Sequence, residues 1–313
     1  MSLNFNRREK MVLKKWKSLI SLLPIFCSII FAGAPAQEEY KIAWIENETT
    51  IDANSLQGKP GMLYFYGGVR TTSSIGARGD AKSVEVKESP RVGLSPETLN
   101  NSDVVALSRK FTCFEFNFVY SQKIAALYDV TTYPVVVFTD HWGNEISRCL
   151  GNVSAEVLTS FMEIFPEDYS DVLSWAEILK KDKKNFEALK GMGEFYLNLE
   201  AWELSNKYYN QARRTQFARE NEEALEGIIL VVGLNELRLR NYKEAQKLFQ
   251  SCLTKFADGK DRDKSLLGLI IAQLGQANLL GAERNFEKLR SQFPDSPTVE
   301  QAKRYINSVK NLK

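Results

Sequence analysis

The sequence predicts an α/β domain over residues 38–165 followed by an all-α repeat array over 168–313. Three observations carry this. Short β-branched and aromatic runs alternate with helical segments up to about residue 165. After Asp168 the chain turns to charged, Leu-rich segments with no proline until Pro294. Within that half, a pattern of a small residue, three residues, an aromatic, two residues and a small or apolar residue recurs three times.

In order, Tyr40–Glu46 reads as a strand, and Gly58-Lys59-Pro60-Gly61 as turn chemistry before the strand Met62–Tyr66. Residues 67–98 are punctuated by glycine and proline without a sustained period, and read as a long loop or insertion with a small hairpin at Ser83–Lys87. Leu99–Lys110 reads as a helix capped near Asn101 or Ser102. Phe111–Val119 alternates, with Phe114, Phe116 and Phe118 on one face and Cys113, Glu115 and Asn117 on the other. A short helix at Gln122–Tyr128, a hairpin of Val135–Thr139 with Glu145–Leu150, and a helix at Ala155–Ile164 capped by Ser154 complete the half.

In the second half the aligned positions are Ser205, Tyr209 and Ala212, then Ala245, Phe249 and Cys252, then Ala282, Phe286 and Leu289. The small residue admits a close helix approach and the aromatic fills the gap. The small-residue positions lie 40 and then 37 residues apart. Gln301–Lys310 reads as a capping helix closing the array.

The composition, 44% hydrophobic and 26% charged, supports a real core. Six of the 41 basic residues and one of the 39 acidic ones lie in residues 1–36, which leaves 35 and 38 and a net charge of −3. Such a balance argues against a nucleic-acid or anionic-membrane surface. Residues 1–36 read as a signal peptide, with a basic start, the apolar segment Leu19–Ala34, and Ala34-Pro35-Ala36 before Gln37. An uncleaved anchor is the alternative, although the run is short of the roughly 20 residues a span needs. The expected location is therefore periplasmic or otherwise extracytoplasmic. Cys27 follows Ile25-Phe26, which argues against lipidation.

"KIAWIEN", "GKPGMLYFY" and "FTCFEFNFVYSQKIAALYDVTTYPVVVFTDHWGNEISRCLGNVSAEVLTSFM" resemble bacterial thioredoxin-like domains over residues 38–165. The resemblance implies a cis peptide before Pro134 and a dithiol near Gly67–Thr72. That stretch is Gly-Gly-Val-Arg-Thr-Thr, and no cysteine lies between Cys27 and Cys113, so dithiol exchange there is excluded. Pro134 can shape the turn alone, or Tyr133 and Pro134 can retain an edge for an extended peptide.

"YKEAQKLF" and "FPDSPTVEQAKRYI" resemble degenerate tetratricopeptide repeats. The resemblance implies a concave groove lined by Lys190, Glu194 and Asn198, then Leu230, Leu234, Leu237 and Arg238, then Leu267, Ile271 and Leu274. The groove is either self-packed or open to a partner.

Cys113 and Cys149 are expected as buried thiols on non-adjacent strands, and Cys252 as a packing residue. His141, at the hairpin tip, is expected to be solvated. One histidine and scattered cysteines make no metal site, and no cofactor is expected. Arg78-Gly79-Asp80 and the Asn-x-Ser/Thr triplets at Asn47, Asn100 and Asn152 lack supporting context.

The expected function is a redox-inactive, exported scaffold that binds a protein or peptide, without enzymatic activity. The alternatives are a thiol oxidoreductase or isomerase acting through Cys113 or Cys149, and a subunit of an envelope assembly.

Overall fold

The structure is a computed structural model that describes residues 41–46, 48–68, 70–72, 86–88 and 91–311, with the side chains of 70–72 and 86–88 outside the description. The proposed signal, Cys27, Asn47 and Arg78-Gly79-Asp80 lie outside the described residues. No helix among those described is long and apolar enough to cross a membrane.

Five strands form one mixed sheet: β1 (Trp44–Glu46), β2 (Gly61–Tyr66), β5 (Thr112–Asn117), β6 (Val135–Thr139) and β7 (Glu145–Leu150). Their order is β1-β5-β2-β6-β7. β5 runs parallel to β1 and β2, while β6 runs antiparallel to both β2 and β7. Of the hairpin expected at Ser83–Lys87, residues 83–85 lie outside the described residues; Val86 and Lys87 belong to β4 (Val86–Glu88), which pairs antiparallel with β3 (Arg70–Thr72) as a separate two-stranded sheet.

The helix expected over Leu99–Lys110, with its cap near Asn101 or Ser102, is α2 (Ser102–Ser108), and a separate short helix, α1 (Pro96–Leu99), precedes it. Each has its own cap. The Ser95 hydroxyl accepts from the Thr98 N–H, and the Asn101 side chain accepts from the Asp103 and Val104 N–H groups. α3 (Gln122–Leu127) and α4 (Ala155–Met162) follow, the latter capped by Ser154 as expected.

Both faces of the sheet are covered, so the alternation in β5 sorts its side chains into two cores rather than into core and solvent. Phe114 and Phe116 join Leu63, Phe65, Val135 and Val137 beneath α3. Cys113 joins Met62, Tyr64, Val136 and Phe138 beneath α2 and α4. This second core does not end with the α/β half. It continues through Phe165 and Val172 to Met192, Phe195 and Tyr196. The segment Tyr40–Lys313 is one compact unit.

The helical half comprises α5 (Ser170–Lys181), α6 (Phe186–Asn198), α7 (Trp202–Ala212), α8 (Gln216–Glu220), α9 (Glu222–Arg238), α10 (Tyr242–Lys255), α11 (Arg262–Gly275), α12 (Leu279–Gln292) and α13 (Pro297–Lys310). The pairs α6/α7, α9/α10 and α11/α12 pack against one another in sequence, and α13 closes on α11 and α12. The three pairs share one turn. Glu200, Arg240 and Ala277 each take a left-handed conformation, at φ 59°, 61° and 59°. The next residue's N–H then reaches back to the carbonyl of Tyr196, Glu236 or Gln273 at 2.8–2.9 Å. This closes the helix carbonyls in the manner of a Schellman cap.

The expected small-and-aromatic packing is present. Ser205, Ala245 and Ala282 are fully buried, as is Phe249. The Phe249 ring lies between Gly233 of α9 and Gly268 of α11, so close that a Cβ at either would overlap it.

Candidate functional site

At one end of the sheet, the Tyr133–Pro134 peptide is cis. Pro134 is buried, and its carbonyl accepts the Gly151 N–H at 2.8 Å. Tyr133 is 40% exposed. Its ring packs on Phe118 at 5.3 Å and lies flush over Gly67, leaving no room there for a side chain. Gly67 in turn exchanges two backbone hydrogen bonds with Val92, at 2.8 and 3.0 Å. Val119 and Tyr120, in the turn after β5, and Leu150, the last residue of β7, are also exposed. Beside them the Arg91 guanidinium stacks over Tyr66 at 4.0 Å and pairs with Glu115 of β5. This surface can hold apolar or aromatic groups. The stretch where the resemblance puts a thiol at a helix N-terminus instead bridges to Val92 and enters β3, and the next helix opens at Pro96.

None of the thiols is exposed at that surface. Cys113, Cys149 and Cys252 are free and buried. β2 and β6 lie between the strands bearing Cys113 and Cys149. Burial pushes Cys113 up to about 12, with a smaller opposing pull from Lys59, and pushes Cys149 up to about 12. Cys252 is also raised by burial, against a hydrogen bond donated by the Ser265 hydroxyl at 3.3 Å. Among the described residues no group of three or more His, Cys, Asp and Glu side chains is placed to hold a metal ion.

The expectation for His141 is overturned. It is 2% exposed, because α5 and α6 pack across the hairpin turn. Its ring meets Tyr169 edge-on at 4.0 Å. The neighbouring Asp140 is also buried and accepts four hydrogen bonds: from the Trp142 and Asn144 N–H groups, the Asn144 amide, and the Tyr196 phenol.

The repeat positions fall into two groups. Leu230 belongs to the interior, with Ala245, Phe249, Leu269 and Ala272, and offers no exposed surface to a partner. Leu234 and Leu237 are half-buried against that cluster, and Leu267 and Leu274 against Ile270, Leu289 and Ile306. Ile271 is half-buried as well. Partly covered leucines and one isoleucine thus lie on α9 and α11. Arg238 is exposed, with its guanidinium over the Trp202 ring at 4.5 Å. On α6 the expected positions are polar, and Lys190 pairs with Glu194 at 3.4 Å.

Sequence reading missed the polar seam joining α7 to α9. The fully buried Asn235 amide donates to the Ser205 hydroxyl at 3.1 Å and to Asn206 at 2.9 Å. Asn206 then donates to Glu236 at 2.8 Å. The adjacent polar pair Asn235-Glu236 directly after the apolar run Ile228–Leu234 was the available signal.

The molecule thus combines an α/β domain with a five-stranded mixed sheet and a helical C-terminal region that share a core. No protein-family model matches the chain, and no curated protein is a significant match to it.

Proposed function

We propose that this chain is an exported, redox-inactive binding scaffold in which a thioredoxin-like domain carries degenerate tetratricopeptide-like repeats. The observation that carries the reading is the state of the sheet end beside Pro134, where an aromatic surface remains but Gly67 is bridged to Val92 in place of a thiol. The strand order β1-β5-β2-β6-β7 supports the thioredoxin-like assignment. The recurring left-handed turn at Glu200, Arg240 and Ala277 supports the repeat assignment.

The scaffold binds a protein or peptide in the cell envelope through Leu234, Leu237, Ile271 and Leu274, with Arg238 and Tyr133 as further contacts. The buried thiols count against the single-cysteine oxidoreductase alternative, because a thiolate is the nucleophile and burial suppresses it.

The test is affinity capture from envelope extracts with the intact chain and with Leu234→Glu/Ile271→Glu, whose positions are half-buried. A partner retained by the first and lost by the second, at unchanged helicity, supports the scaffold. Absence of any retained partner, or equal retention by both, removes it.

A further inference from the structure

The turn at Asp140–Asn144 binds the two halves of the molecule together through groups that the proposed binding role does not use. Asp140 spends all four acceptor directions of its carboxylate on Trp142, Asn144 twice, and Tyr196. The only histidine of the chain sits next to it, buried against Tyr169. Neither His141 nitrogen has a hydrogen-bond partner among the described residues, and neither does the Tyr169 hydroxyl.

We infer that this turn is an acid-sensitive latch, in which protonation of His141 frees the hairpin from α5 and α6. The reason is one of acceptors. An imidazolium has two N–H donors and needs two acceptors. The nearest carboxylate is fully engaged, so a charged His141 takes Asp140 only by displacing a donor it already holds. The donor from outside the turn is the Tyr196 phenol, 2.7 Å away on α6. A charged ring left without Asp140 stays buried and unpaired, which costs several kcal/mol and favours opening. Either route breaks the junction.

No other carboxylate around the turn is free to pair with the ring, and a neutral phenol oxygen such as that of Tyr169 accepts a hydrogen bond without neutralising the charge. Tyr169 lies at the start of α5, and Tyr208 of α7 stacks behind Tyr196 at 5.4 Å. Glu167 is paired with Lys110 at 2.8 Å. Glu145 is paired with Arg148 at 2.5 Å, and Tyr128 donates to the Gly143 carbonyl at 3.0 Å. Burial holds His141 below its ordinary range, more strongly than Asp140 raises it.

The folded value being lowered, the latch is intact above the unfolded value of about 6.5 and weakens as pH falls below it. If the closed ring stays neutral throughout, the open population rises about thirtyfold between pH 7.5 and 5.0.

Hydrogen exchange of the full chain at pH 7.5 and 5.0, corrected for intrinsic exchange chemistry, tests this. Opening is expected to rise by that factor, about thirtyfold, in the hairpin, α5 and α6, while α11–α13 serve as the internal reference. His141→Phe and His141→Gln are expected to abolish the rise. An equal rise in both variants, or none in the unmodified chain, overturns the latch. Because the chain has a single histidine, its imidazole resonance gives a second readout that needs no variant. A titration midpoint below the ordinary value, in step with the exchange, supports the latch; an ordinary midpoint with unchanged exchange overturns it.

Discussion

The Tyr196 phenol of α6 donates a 2.7 Å hydrogen bond to Asp140, which sits on the turn between β6 and β7. Both side chains are buried, and they lie 56 positions apart in the chain. This contact and the core around it tie the α/β domain to the first repeat. Removing the hydroxyl leaves a buried carboxylate short of one donor. Tyr196→Phe is therefore expected to cost about 1–3 kcal/mol, measured as a lower urea midpoint with unchanged slope. A loss below about 0.3 kcal/mol would show that the bond contributes nothing net.

The glycines of the helical array separate packing from propensity. Gly227 has open space where a Cβ would stand, whereas a Cβ on Gly268 would overlap the Phe249 ring. Gly227→Ala should stabilise by about 0.5–1 kcal/mol, through helix propensity alone. Gly268→Ala gains the same propensity, but the overlap costs about 1–3 kcal/mol and prevails. Phe249→Ala should cost about 3–5 kcal/mol through the cavity it leaves. Thermal unfolding of the three variants in one buffer gives the ordering.

Ala277 turns the chain between α11 and α12 in a left-handed conformation, at φ 59°. A Cβ is disfavoured there by about 1 kcal/mol, and helix ends of this kind favour glycine. Ala277→Gly should raise stability by about 0.5–1 kcal/mol, less the added entropy of the unfolded chain. A fall in the unfolding midpoint would mean that the methyl group packs favourably.

Cys113 and Cys149 are held protonated by burial, each at about 12. With folded values raised, their contribution is complete below the unfolded value near 8.5 and is lost as pH rises toward 12. Each thiol should then cost about 1.4 kcal/mol per pH unit above that point. The difference in alkaline slope between the native chain and Cys113→Ala/Cys149→Ala isolates the effect from other titrations. Native labelling of the buried thiols should run at least about a hundredfold slower than labelling in urea. Prompt reaction of one of them would restore the single-cysteine enzyme as a serious reading.

Where local pattern is sufficient, sequence and structure agree. The bounds of β6 and β7 are those read from their β-branched run and turn, because strand period and turn chemistry are local properties. The 40- and 37-residue offsets of Ser205, Ala245 and Ala282 reappear in the turns at Glu200, Arg240 and Ala277. One helix pair repeats the same cap and the same close approach, so both features share one period.

What only the tertiary structure decided is who covers whom. His141 read as a solvated loop tip because nothing near it in sequence could bury it; α5 and α6 do. Leu230 read as a groove residue because the repeat resemblance puts that position on the groove face; packing against α10 and α11 buries it instead. By itself the sequence determined the order of the five main strands, the missing dithiol and the repeat period, since each is written in nearest neighbours and spacing. The shared core, the Asp140–Tyr196 bond and the buried histidine follow from contacts between distant segments, which no local pattern encodes.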